Sequence, residues 1–155
     1  MKLYLMQHAK PLSKEEDPAR PLSPAGTRDV EAISGWLAKA GIRPQTILHS
    51  PKERAKQTAQ GVAEKLGISS KLEEHEELKA MAEPGLIQKK IESGFDEVML
   101  VGHLPHLGKL ATRLLTNRAR EEPSAVAFQQ GGVVCLIQED GSWQVAWMIT
   151  PDLLA

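Results

Sequence analysis

The chain has 155 residues, enough for one domain, residues 1–155, with an enclosed core. Apolar residues make up 41% and charged residues 25%, a globular balance without a run long enough to span a membrane. With 19 basic and 20 acidic residues the formal net charge is −1, so no strong field draws in nucleic acid or an anionic membrane, and neither is expected as a partner.

The opening KLYLM reads as a strand, and Gln7, His8 and Ala9 stand where it should end. MKLYLM is shorter than a signal-peptide core, which together with a single cysteine, Cys135, suits a reducing cytoplasm. A charged, proline-rich loop leads to Ser23-Pro24, which reads as an N-cap with proline in the first helical position. Val30, Ile33, Trp36, Leu37 and Ala40 recur at helical spacing until Gly41. QTILH is a second strand. Ser50 with Glu53 three residues on reads as a capping box opening a second helix, which Gly67 ends.

A short strand near Lys71–Glu73 and a helix over Pro84–Ser93 come next. EVMLVG is a strand, and a helix follows Pro105. GGVVCLIQEDGSWQVAWMI reads as a hairpin turning at Asp140-Gly141, with Cys135 as a buried, reduced thiol. Trp143 and Trp147, four apart in one strand, are expected on the same side. Strands alternating with helices imply an α/β three-layer sandwich with a mostly parallel sheet and a C-terminal antiparallel hairpin. Such sheets carry their sites beyond the carboxyl ends of the strands.

Three connections bring polar residues to that edge. His8 follows the first strand, His103 follows EVMLVG, and Arg54 lies in the first turn of the helix after QTILH. A neutral imidazole can act as a nucleophile and carry a covalent intermediate. A guanidinium fits phosphate oxygens, a second histidine adds a proton or charge, and a helix N-terminus adds N–H groups. This set suits phosphoryl transfer without a metal or organic cofactor.

The stretches YLMQHA, ARPLSPAG, ILHSPKERAKQTA, VMLVGHLPHLG and SWQVAWMITP together resemble the histidine phosphatase superfamily, of phosphoglycerate mutase-like fold. Within it they are similar to the small bacterial phosphohistidine phosphatases that act on phosphotransfer domains. The resemblance spans almost the whole chain. It implies that His8 becomes phosphorylated, that Arg54 and His103 line the phosphate pocket, and that Arg20 lies near its mouth. It also implies an open, shallow pocket and hence a phosphohistidine-bearing protein as substrate. Gln7 departs from the pattern, because the family carries arginine before the reactive histidine. A glutamine amide still donates to phosphate, but as a neutral group, and Lys10 or Arg20 are candidates to compensate. Glu83 is the carboxylate nearest the place where relatives hold a general acid.

Two other functions stay open at this level: a phosphatase of a small phosphorylated metabolite, and a non-catalytic phosphate- or phosphohistidine-binding module, for which Gln7 speaks. Of the other histidines, His106 is expected at the pocket rim or capping its helix, His49 in a structural role, and His75 exposed among glutamates. Gly102 is expected to permit close backbone approach. Arg113, Arg118 and Arg120, with Glu121 and Glu122 directly after them, read as a solvated helix end.

Overall fold

A computed structural model describes all residues, 1–155. Six strands form one sheet: β1 (Lys2–Gln7), β2 (Thr46–His49), β3 (Leu72–Glu74), β4 (Glu97–Gly102), β5 (Val133–Glu139) and β6 (Ser142–Ile149). Their order across the sheet is β3-β2-β4-β1-β5-β6. The first four are mutually parallel, whereas β5 runs antiparallel to β1 and to β6. The α/β sandwich with a closing hairpin, expected from the alternation of strands and helices, is the observed architecture.

Four helices cover the two faces: α1 (Pro24–Lys39), α2 (Glu53–Leu66), α3 (Pro84–Glu92) and α4 (His106–Leu115). The period of two in each strand divides the core into two halves. Leu3 and Leu5 of β1 join Ile87, Ile91, Leu107 and Leu110 on the α3/α4 face. Tyr4 and Met6 join Ile33, Leu37, Ala59 and Val62 on the α1/α2 face. Both faces of the central strands are therefore buried, which is why they read as continuous apolar runs.

The caps follow the sequence at α1, where Ser23 Oγ accepts from the N–H of Gly26, and at α2, where Gly67 closes the helix at φ 71°. The start of α2 departs from expectation. The N-cap is Lys52, without a side-chain cap bond, and Ser50 lies outside the helix. Its hydroxyl bonds His103 instead, and with the serine so engaged the capping box does not form.

The tryptophans also depart from expectation. A β-bulge between Cys135 and Leu136 pairs Cys135 with Trp147 but Leu136 with Val145, which adds one residue to β6. That residue reverses the alternation. Trp143 enters the α3/α4 half of the core, while Trp147 packs on Tyr4 and Trp36 of the other half. The hairpin turn is at Asp140-Gly141 as expected, both with positive φ (51° and 79°), as a tight two-residue turn requires.

Candidate active site

The strand order builds the site. β4 lies between β2 and β1, so three neighbouring strands end side by side. The N–H of His8 donates to Gly102 O (3.0 Å) and that of Ser50 to Val101 O (3.0 Å), locking the three strand ends together. The two N–H groups thus continue the parallel ladder one residue past each strand. Gly102 is held close to the chain before α3: a Cβ there would stand 3.2 Å from Leu78 O.

His8 and His103 face each other with ring centroids 5.1 Å apart. His8 Nδ1 lies 2.8 Å from the carbonyl oxygen of Ala9. A carbonyl only accepts, so Nδ1 carries the proton and Nε2 keeps its lone pair. Burial, opposed by that bond and reinforced by the charges of Arg54 and Arg20, lowers the His8 pKa to about 4. At neutral pH the imidazole is therefore uncharged, the form a nucleophile needs.

His103 is fixed from the other side. Its Nε2 lies 2.8 Å from Ser50 Oγ, and that oxygen also receives the N–H of Lys52 at 3.3 Å. Nε2 is the only acceptor set against the Ser50 hydroxyl, so the hydroxyl proton is directed at Nε2. His103 then carries its proton on Nδ1, which is buried without a protein partner. An unpaired buried donor beside a neutral imidazole is a ready partner for an anionic oxygen. Burial first, then the charges of His8, Arg54, Lys52 and His106, lower the His103 pKa to about 3.

Arg54 brings a second unpaired buried donor, its Nε. Its position is tied to His8 through Thr58: the Thr58 hydroxyl donates to Arg54 O (2.8 Å) and accepts from the N–H of Ala9 (3.0 Å). Thus the first turn of α2 and the residue after His8 share one side chain. Burial and the nearby Arg20 charge lower the Arg54 pKa from its ordinary value.

Arg20 stands in the loop between β1 and α1. Its φ of 50° is uncommon for a side chain other than glycine. The conformation is held by its N–H on Asp17 O (2.9 Å) and its Nε on Leu12 O (3.2 Å). Backbone strain of this kind concentrates at functional sites. Gln7 is the last residue of β1 and is buried. Its carbonyl accepts from Gly131 N (3.0 Å), and its side-chain amide has no hydrogen bond within the protein.

The structure thus brings His8, Arg54, His103 and Arg20 into one electrostatic neighbourhood, with Gln7 next to His8. It adds Ser50, Thr58 and Lys52, which the sequence reading did not single out. A serine ending a strand could have been read as a partner for a nearby histidine, but its capping-box pattern pointed elsewhere. Thr58 sits on the apolar stripe of α2 and carries no signal of its own. Glu83 takes the N-cap position of α3, where it shares a surface depression with Arg113 and Arg118.

The remaining histidines separate. His106 is neither at a rim nor a cap; it is fully buried with both ring nitrogens unpartnered, and burial, then Lys109, lowers its pKa to about 4. Pro105 takes the N-cap position of α4, so the His106 side chain turns inward. His49 is buried, its Nδ1 2.9 Å from Ser50 O. His75 is partly buried rather than exposed, because Glu73, Glu77 and Lys90 close around its ring. Of the arginines, Arg118 and Arg120 are exposed, whereas Arg113 is tethered through its Nε to Gln88 Oε1 (2.6 Å).

A buried neutral histidine at the end of the first strand, an arginine opening the second helix and a second histidine facing the first now stand in one geometry. Residues 3–83 match the histidine phosphatase superfamily (branch 1). The chain belongs to the histidine phosphatase superfamily. It is 27% identical over 156 aligned positions to the phosphohistidine phosphatase SixA of Escherichia coli (strain K12), covering 97% of this chain and 94% of that protein. A structure of the protein histidine phosphatase SixA complexed with tungstate is similar with a TM-score of 0.85 and 25% identity, over 100% of both chains. A phosphoserine phosphatase from Entamoeba histolytica, solved with phosphoserine, shares the fold at 13% identity and a TM-score of 0.73 over 99% of each chain. The superfamily and its fold were both legible in the motifs around His8, Arg54 and His103.

Proposed function

We propose that this chain is a phosphohistidine phosphatase that removes phosphate from a phosphohistidine-bearing protein, such as a phosphotransfer domain, through a phospho-His8 intermediate. The observation that carries this is the state of His8: a neutral imidazole with Nδ1–H on a carbonyl and Nε2 free, beside two unpaired buried donors. The near full-length likeness to SixA supports the choice of substrate.

In the first step His8 Nε2 attacks phosphorus. A new N–P bond forms as the P–N bond of the substrate histidine breaks, and the departing imidazole takes up a proton. In the second step water attacks phosphorus, the N–P bond to His8 breaks, and inorganic phosphate leaves. Charge spread over the three equatorial oxygens is met by Arg54 and by the Nδ1–H of His103. Gln7 contributes a neutral amide, and Arg20 and Lys52 add positive potential. A nitrogen leaving group departs with less help than an alkoxide. Cavities of about 600 Å³ between α1 and α2 and about 770 Å³ beside Leu104 are lined by residues other than His8, Arg54 and His103.

The test is phosphate release from a phosphotransfer domain phosphorylated on its histidine, with EDTA present, for the wild type and His8→Ala. Turnover that disappears in His8→Ala is expected. A folded wild type that releases no phosphate refutes the function.

A further inference from the structure

The cavity of about 770 Å³ directly follows the reactive edge of the sheet. Its near wall starts at Leu104, the residue after His103, and continues through Gly108 on the first turns of α4. Its far wall is the segment 121–128, with Val126 and Phe128 facing inward. The surface is mainly apolar, yet Leu104 remains 41% exposed, which leaves a large aliphatic side chain in water beside the site. Val126 and Phe128 are anchored in the α3/α4 half of the core, so the floor of the groove is continuous with the hydrophobic interior.

The far wall is built and held. Thr112 Oγ1 accepts the N–H of Ala125 (2.7 Å) and donates to Gly108 O (2.9 Å), while Ser124 Oγ donates to Val126 O (2.7 Å). Gly108 makes the close approach possible, since a Cβ there would lie 2.9 Å from Ser124 Oγ. An ion pair between Lys109 and Glu122 (3.4 Å) ties the two walls at the rim. A groove already shaped before binding loses little entropy on docking.

We infer that this groove receives a large apolar side chain of the substrate protein, displayed on the same surface as its phosphohistidine. The inference rests on the proposed function, and the argument for the occupant is continuity. The phosphorylated side chain must reach His8, and its own chain then passes over the ends of β1 and β4. Leu104 is the residue next to His103, so whatever flanks the phosphohistidine on that side meets the groove first. An apolar residue there finds a preformed apolar surface, and the exposed Leu104 is covered. A free small phosphorylated molecule, lacking that flanking surface, gains nothing from the groove.

Leu104→Glu and Ala127→Glu place a charge on each wall at exposed positions that no core residue depends on. The test compares kcat/KM on a histidine-phosphorylated phosphotransfer domain with that on free phosphohistidine. The expected result is a loss of about tenfold or more on the protein substrate, carried by KM, with free phosphohistidine unchanged. Variants that keep the wild-type rate on the protein substrate, or that lose both substrates equally, overturn the groove. Wild type idle on both substrates instead refutes the underlying function, so the two failures are told apart.

Discussion

Replacing Ser50 by alanine tests whether the second histidine acts through a fixed tautomer. Ser50 is fully buried, and its hydroxyl is the only partner of His103 Nε2. Without it Nε2 is stranded in a site that holds the His103 pKa near 3, so the ring cannot take a proton in compensation. The proton on Nδ1 is then free to move to Nε2, and the donor beside His8 is lost. Leaving one buried polar group unsatisfied costs about 1–3 kcal/mol. Felt in the transition state, that corresponds to a fall of about 10- to 100-fold in kcat/KM. The assay is phosphate release from a histidine-phosphorylated domain, paired with ¹⁵N NMR of the His103 ring. The expected signature is a lower kcat together with loss of the Nδ1–H tautomer. Ser50→Ala with wild-type kcat/KM and an unchanged tautomer refutes the reasoning. A lower rate with the tautomer retained refutes it as well, because the serine then acts by another route.

Other predictions follow from the same geometry. Because the free-enzyme His8 has a pKa near 4, its imidazole should stay neutral from about pH 8 to pH 5 and take a proton only as pH drops through about 4, followed by ¹⁵N NMR of the ring; a ring already half-protonated near 6.5 contradicts its burial. His106 binds its proton more weakly folded, near 4, than unfolded, near 6.5, so its linkage is absent above 6.5 and destabilises progressively as pH falls toward 4. His106→Leu removes that linkage and should gain about 2 kcal/mol of stability at pH 5 beyond any gain at pH 7.5, read from denaturant melts. Gln7→Arg should tighten tungstate or phosphate binding by about tenfold or more, since a charge-assisted donor replaces a neutral amide; calorimetry showing no change places residue 7 away from the anion.

Much of this chain was legible in one dimension. Helix stripes and caps at Ser23-Pro24, Gly41 and Gly67 depend on neighbours within a turn, as does the Asp140-Gly141 turn. They were readable because local sterics and backbone bonding decide them. His8, Arg54 and His103 were legible as candidates for a different reason. Each follows a strand closely, and a parallel sheet delivers such residues to one edge whatever the strand order.

Contacts between distant segments were not legible. Ser50 matched a capping box, yet its hydroxyl turned to His103 because β4 inserts between β1 and β2 and brings that imidazole within reach. A helix start has other ways to satisfy its N–H groups, in water or backbone, whereas the buried Nε2 of His103 has only the Ser50 hydroxyl within reach. Trp143 and Trp147 looked equivalent by period, and one bulge residue sent them to opposite halves of the core. The inward turn of His106 was likewise invisible, since it depends on how α4 seats on the sheet. The sequence alone determined which elements present His8, Arg54 and His103 and that these share one edge of the sheet, because propensity and period are local. Only the tertiary structure decided which proton each histidine holds, because that depends on the atom facing each ring nitrogen across the sheet edge.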